Sequence, residues 1–488
     1  MLSDELPYDL ILCNGTIIDG SGSPGFTADV AVRGDRISAV GRLQYADARR
    51  SVDVSGLVVA PGFIDVHTHD DAAVIEGPEM TPKITQGVTT VIGGNCGISG
   101  APYSRAGDPP HLLHLIFKSD RLLAQSLEKF LQRVCDAGPA VNAAFLTGHS
   151  TLRMQVMGAD LEREATPAEM HAMRELLTQC LEQGSLGLST GLFYPSARAA
   201  STTEVIEIAQ ALRAYRGVYA THMRDEADGV VQSIEESLLI GREAGVDVVI
   251  SHHKCIGRKN FGRSVETLAL LDRARATQGV AWDVYPYNAG SSILLPEFVE
   301  QASRTVIAWC DPHPEFAGVD LDTVAQTLGC TRPEAIQRLQ PAGAIYFMMD
   351  EADVARIISS SGAMIGSDGL PSDKHPHPRL WGTFPRILGR YVREQKLLTL
   401  EDAVHRMTGL SALRFGLTDR GQVRQGSYAD VCVFDPGTVL DAATFERPAQ
   451  SSIGIRHVLV NGRFVLESGE PTGARSGRVL RRCTGRSH

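Results

Sequence analysis

The stretch Pro61-Gly62-Phe63-Ile64-Asp65-Val66-His67-Thr68-His69-Asp70 decides how this chain is read. It continues an apolar run, Leu57-Val58-Val59-Ala60, and ends in two histidines two residues apart. Strand side chains repeat every second residue, so both imidazoles face the same way. If the strand belongs to a closed barrel, that direction is inward at its carboxyl end, where one metal ion can take both nitrogens. Taken alone, His-x-His reads equally well as two unrelated polar residues at a strand end, and the rest of the chain has to decide.

From about Gly62 to Phe415, strand-like runs alternate with helical stretches, the pattern of a parallel α/β fold. Candidate strands at 88–92, 141–146, 186–189, 218–221, 246–251, 280–284 and 363–366, with the run into His67, make eight. Helices fit between them, for instance Pro167 to Glu182 behind a Thr166 N-cap, and Gly229 to Ala244. The fold class expected is α/β, a (β/α)₈ TIM barrel over 62–415. Nearly eighty residues separate the seventh and eighth strands, with Pro296, Pro312, Pro314, Pro333 and Pro341 and a helical piece from Arg332 to Leu339. Long connections in compact domains are usually functional, so 286–345 is expected to be an inserted subdomain or lid over the barrel mouth.

The two ends have a different character. Leu10-Ile11-Leu12-Cys13, a turn at Asn14-Gly15, then Thr16-Ile17-Ile18 read as short strands, and 28–32, 35–41 and 57–59 continue them. Residues 426–435 and 458–465 look the same, so 1–61 and 416–488 together suggest one small β-sandwich domain built from both termini.

Composition excludes several classes. The chain has 488 residues, 43% hydrophobic and 21% charged, ordinary for a globular protein, and no run approaches the ~20 apolar residues of a membrane span. A net charge of −10 argues against nucleic acid or an anionic membrane as partner and leaves a small-molecule substrate. The start, Met1 to Pro7, lacks the basic and apolar regions of a secretory signal, so a cytoplasmic location is expected. Nine cysteines from Cys13 to Cys483 include no Cys-x-x-Cys pair, which suits reduced thiols. Monomer and homo-oligomer are both open.

Candidate metal ligands fall at the carboxyl ends of candidate strands: His67 and His69 after the first, Cys96 after the second, His222 after the fifth, His252 after the sixth. Barrel enzymes build their sites on that face. Cys96 sits among glycines in Gly93-Gly94-Asn95-Cys96-Gly97, which permit close backbone approach, and a thiolate is a strong zinc ligand able to bridge two ions. The strand-end Asp368, in Gly366-Ser367-Asp368-Gly369, is placed to take a proton from a metal-activated water and return it to a departing amine. Only one of the adjacent His252 and His253 can point inward. A substrate with a free carboxylate needs a cation beside the metals, and Lys254, two residues beyond His252, projects to the same side.

These spaced motifs resemble the amidohydrolase superfamily, whose first barrel strand ends in His-x-His after a Pro-Gly-Φ-Ile-Asp lead, and within it the N-acyl-D-amino-acid deacylase (D-aminoacylase) group. The resemblance runs through most of the chain and implies zinc as cofactor, one ion tightly bound, with a second, weaker position left open. It implies Cys96 in the bridging role that a carboxylated lysine or glutamate fills in many relatives. No strand-end lysine follows Leu146, where Thr147-Gly148-His149 stand instead. Likeness also favours His222, in Thr221-His222-Met223-Arg224-Asp225-Glu226, and His252 over His253. It marks Tyr194, Tyr285 and Ser291 as substrate contacts, while Arg379 is expected to support the last loop rather than touch substrate. Chirality comes from family likeness alone.

The expected function is therefore zinc-dependent hydrolysis of N-acyl-D-amino acids with Asp368 as general base and acid. Ser291-Ser292-Ile293-Leu294-Leu295-Pro296 carries no basic residue, which suggests hydrophobic side chains. Alternatives are a deacylase for N-acyl-D-glutamate or N-acyl-D-aspartate, a cyclic-amide hydrolase of the hydantoinase or dihydroorotase kind, and a scaffold that kept the fold and lost the chemistry.

Overall fold

A computed structural model of the chain describes residues 8–43, 47–105 and 111–482. The Met1 to Pro7 start and Cys483 lie outside the described residues.

Eight parallel strands form the barrel: Phe63–Asp65, Val88–Gly93, Asn142–Phe145, Gly187–Gly191, Val218–His222, Val248–Ile250, Val280–Val284 and Ala363–Ile365. They hydrogen-bond as two arcs, the first three in one and the last five in the other. Thr147–Gly148 and the bond from Leu186 N to Phe145 O (2.9 Å) close one seam, and the Thr68–Gly369 bridge closes the other. Every strand is buried on both faces, as expected where helices cover a parallel sheet. Ile64, Val66, Ile92, Ala144, Val218, Val249 and Met364 fill the barrel interior, so it is a packed core and not a pore.

The helix Pro167–Glu182 begins where the sequence places it, with a Thr166–Glu169 capping box, and Val230–Ala244 starts one residue later than expected. The two chain ends form one sheet, with Val58–Pro61 between Leu10–Ile17 and Val431–Phe434. Asn142, Asp430 and Asn461 tie that sheet to the third barrel strand through bonds of 2.8–3.1 Å. The segment after it runs back to the barrel, where Ala143 bridges Val479 and Leu480 packs against the interior cluster.

Two expectations need correction. Asn14-Gly15 is not a hairpin turn but an irregularity within the single strand Leu10–Ile17. Asn14 adopts φ 63°, its amide donates to Asp29 (2.8 Å), and a Cβ on Gly15 would lie 2.6 Å from Val59, so the chain stays extended past a local kink. The insertion also holds more than a helical piece. Ala289–Ile293, Arg304–Cys310 and Ala342–Phe347 form an antiparallel sheet, with the helix Arg332–Leu339 as expected.

Candidate metal centre

The barrel brings the candidate ligands to one buried point. Cys96 Sγ lies 3.3 Å from His67 Nε2 and 3.4 Å from His252 Nε2. Asp368 Oδ1 lies 3.5 Å from His67 Nε2 and 3.2 Å from His69 Nε2. The rings of His222 and His252 are 4.5 Å apart, so His222 joins from the other side. Two groups, His67–Cys96–His252–Asp368 and His222–Glu226–His252, each place their donor atoms within 4.8 Å of one another. His253 points away and meets Thr267 Oγ1 at 2.9 Å. Burial holds its imidazole down at about 4.

The backbone is bent to achieve this. Cys96, His252 and Asp368 have φ of 52°, 35° and 49°, a region that non-glycine residues rarely enter and that concentrates at functional sites. Close approach is the glycines' contribution. A Cβ on Gly94 would lie 2.1 Å from Leu146 O, and one on Gly366 would lie 2.5 Å from His67 Cβ.

Carboxylates that sequence reasoning did not assign hold the imidazoles from behind. Asp283 Oδ1 stands 3.2 Å from His67 Nδ1 and accepts the backbone N–H of His252 at 2.9 Å. Glu226 Oε1 stands 3.1 Å from His252 Nδ1. For His67 such a partner fixes the tautomer that presents Nε2 to a metal, while His252 Nδ1 meets both the Glu226 carboxylate and the Lys254 ammonium, the latter at 2.6 Å. Asp283 is the penultimate residue of the seventh strand and Glu226 lies four residues after His222, so nearness to a strand end was the available signal. Arg379 Nη1 is 2.7 Å from Asp368 Oδ2, the supporting role expected of it.

The donor set fits zinc: one sulfur, imidazole nitrogens and carboxylates within reach of one centre. Both ring nitrogens of His222 and one oxygen of Glu226 are buried without a hydrogen-bond partner, atoms that a cation would satisfy. Burial opposes ionisation of the Cys96 thiol, yet His67 and His252 outweigh it and hold the thiol well below its usual range. Burial also opposes charge on Asp368, and Arg379 overrides it, keeping a carboxylate. Burial pulls His222 down, towards the neutral form a ligand must have.

The cleft above this centre is lined by Tyr194, Lys254, Tyr285 and Ser291, together with Leu115, Phe298, Tyr346, Met348 and Leu370. Lys254 is not a free charge, because its Nζ donates to Glu226 Oε1 at 2.8 Å. Tyr194 OH meets Ser292 Oγ at 3.2 Å, and Ser291 Oγ donates to Ala344 O at 3.3 Å.

The sequence matches the amidohydrolase family (Amidohydro_3) model over residues 50–245 and 317–466. It is 54% identical to a D-aminoacylase of Alcaligenes xylosoxydans xylosoxydans, covering 98% of this chain and 99% of the relative. An N-acyl-D-aspartate deacylase of the same organism is 51% identical over 98% of this chain and 96% of its own. Among solved structures, the N-acyl-D-glutamate deacylase of Bordetella bronchiseptica, complexed with zinc and a phosphonate mimic of the tetrahedral intermediate, superposes with a TM-score of 0.94. It has 46% identity and covers 97% of this chain and 99% of that one.

Proposed function

This chain belongs to the amidohydrolase family, and from that premise we propose that it hydrolyses N-acyl-D-amino acids to a carboxylate and a free D-amino acid. The observation that carries the reading is the buried meeting of Cys96 with His67 and His252 beside Asp368. Cys96, His222 and His252 would hold zinc, and His67 and His69 with shared Cys96 would make a second, weaker position. When bound there, zinc supplies a Lewis acid for the amide carbonyl and lowers the pKa of water.

The remaining chemistry belongs to the chain. Arg379 pins Asp368 Oδ2, which leaves Oδ1 facing His67 and His69 to accept a proton from the attacking water. Asp368 then returns that proton to the departing nitrogen. Lys254, Tyr285 and Ser291 line the cleft and would orient the substrate carboxylate, with Tyr194 lining it beside Ser292. Among the described lining residues Lys254 is the cation, and it is already paired with Glu226. Phe298, Tyr346, Met348, Leu115 and Leu370 form an apolar wall, so the favoured side chains are hydrophobic, as in N-acetyl-D-Leu, D-Met or D-Phe.

We read 1–61 with 416–488 as the β-sandwich domain, 62–415 as the barrel and 286–345 as the lid. Among the described residues no helix is long and apolar enough to cross a membrane, and the eight described cysteines are free, which suits a cytoplasmic enzyme. The test is zinc analysis of purified protein with a turnover screen across N-acetyl-D- and N-acetyl-L-amino acids. Preference for L-substrates refutes the assignment, and preference for N-acetyl-D-Glu or D-Asp refutes the apolar pocket.

A further inference from the structure

One buried cation has no place in that chemistry. Lys83 lies in the short helix Thr81–Ile84, between the first and second barrel strands, and is fully buried. Its ammonium stands 2.7 Å from Asp65 Oδ2, 3.1 Å from Asp70 Oδ2, 3.0 Å from Thr68 Oγ1 and 3.0 Å from Ser367 Oγ. Four acceptors around three donors satisfy it completely. A buried ion pair adds little net stability over well-packed apolar side chains. Its use lies in what it holds in place.

The partners come from both sides of one seam. Asp65, Thr68 and Asp70 interleave with His67 and His69 after the first strand, and Ser367 precedes Asp368 after the eighth. Among the described residues, these two strands share no ladder, only the isolated Thr68–Gly369 bridge. Side chains and loop backbone supply the rest. Ser367 N donates to Asp65 Oδ1 (2.8 Å), Asp368 N to His67 O (2.7 Å) and His69 N to Gly369 O (3.1 Å). Lys83 is the hub that joins the side-chain half of this stitching.

We propose that Lys83 is a positioning residue, which locks the Ser367–Gly369 loop to the Asp65–Asp70 loop and so fixes the Asp368 carboxylate against His67 and His69. It rests on the functional reading above, since it gives Asp368 a geometry to be held in. Loosening the seam displaces the proton-transfer group while leaving Lys254, Tyr285 and Ser291 untouched, so kcat falls and KM does not.

The test uses Ser367→Ala, which deletes the last-loop acceptor without stranding a charge, and Lys83→Met, which deletes the hub. Each zinc-loaded protein is titrated with a phosphonate analogue of an N-acyl-D-amino acid to count working sites, and melting and zinc content are measured alongside. Ser367→Ala is expected to fold, to keep wild-type zinc content and KM within about twofold, and to lose on the order of tenfold in kcat per titrated site. Lys83→Met should lose more. A merely structural role would reduce the number of titrated sites and leave kcat per site unchanged. If kcat per site in Ser367→Ala stays within twofold of wild type, the inference is overturned even where Lys83→Met does not fold. A wild-type protein inactive on every N-acyl-D-amino acid overturns the functional reading and this inference with it, whereas an active wild type with an undiminished Ser367→Ala overturns this inference alone.

Discussion

Replacing Glu226 with Gln removes one charge and changes almost no volume, yet it should disturb both stability and metal binding. Glu226 Oε1 accepts from Lys254 Nζ at 2.8 Å, and all three of Glu226, Lys254 and His252 are buried. At that 2.8 Å separation and an effective dielectric of about 20, the attraction is about 6 kcal/mol. Removing one member of a buried pair strands the other, at a cost of about 3–5 kcal/mol. The zinc side moves separately. His252 Nδ1 loses its carboxylate at 3.1 Å, and loss of such a partner lowers metal affinity by roughly 10- to 100-fold. Urea unfolding of the zinc-free protein reads the first effect, and competition with a chromophoric chelator reads the second. The double variant Glu226→Gln/Lys254→Met removes the stranded ammonium and should recover most of the stability, while zinc affinity stays low. A Glu226→Gln protein with an unchanged unfolding midpoint and unchanged zinc affinity would refute the reasoning.

Three further outcomes are expected. Asp368→Asn should retain zinc by elemental analysis but lose ~10²- to 10⁴-fold in kcat, the range of a general base, and full turnover would remove Asp368 from the mechanism. Glu204 is buried against His149 Nε2 (3.0 Å) and Arg153 Nη1 (2.6 Å). Burial raises its carboxyl, and the contacts with His149 and Arg153 more than offset that, bringing it from 4.5 to about 2. A depressed carboxyl contributes stability above its unfolded value and loses it as pH falls through the folded one. About 3 kcal/mol should therefore fade between pH 4.5 and 2, and Glu204→Gln should flatten that limb of a stability–pH curve. Parallel curves for wild type and variant would show that Glu204 does not drive it. Phe63→Ala, at a fully buried ring 5.7 Å from Phe384, should cost about 3–5 kcal/mol by urea unfolding, and a loss under 1 kcal/mol would mean that the sheet–barrel junction collapses around the gap.

Much of the site was legible because barrel strands advertise their ends. A Val/Ile-rich run stops at a polar residue, and His67, Cys96, His222, His252 and Asp368 each stand at or just beyond such a stop. What stayed hidden depends on contacts across the barrel. Asp283 stands one residue short of its strand's end, where His222 ends its own, and its partners His67 and His252 are fixed only when the ring closes. Lys83 carried no local signal at all, since a lysine in a short helix ordinarily faces water. The strands of the insertion were less legible for a different reason: prolines punctuate its connections, and the short apolar runs 305–310 and 342–347 pair with each other antiparallel rather than alternating with helices as the barrel strands do. At Asn14-Gly15 a strong hairpin signal lost to tertiary pairing, because the strands on either side of it both find partners without reversing direction.

The sheet shared by the two ends sets a schedule for biosynthesis. Val58 pairs with Phe434 and Ala143 with Val479, so strands made early wait for partners made last. At ordinary elongation rates of roughly 5–20 residues per second, the first of these edges stays bare for roughly 20 to 75 s after it leaves the ribosome. During that interval an apolar strand with open amides is exposed to neighbouring nascent chains, and a prematurely released fragment would carry that sticky edge permanently.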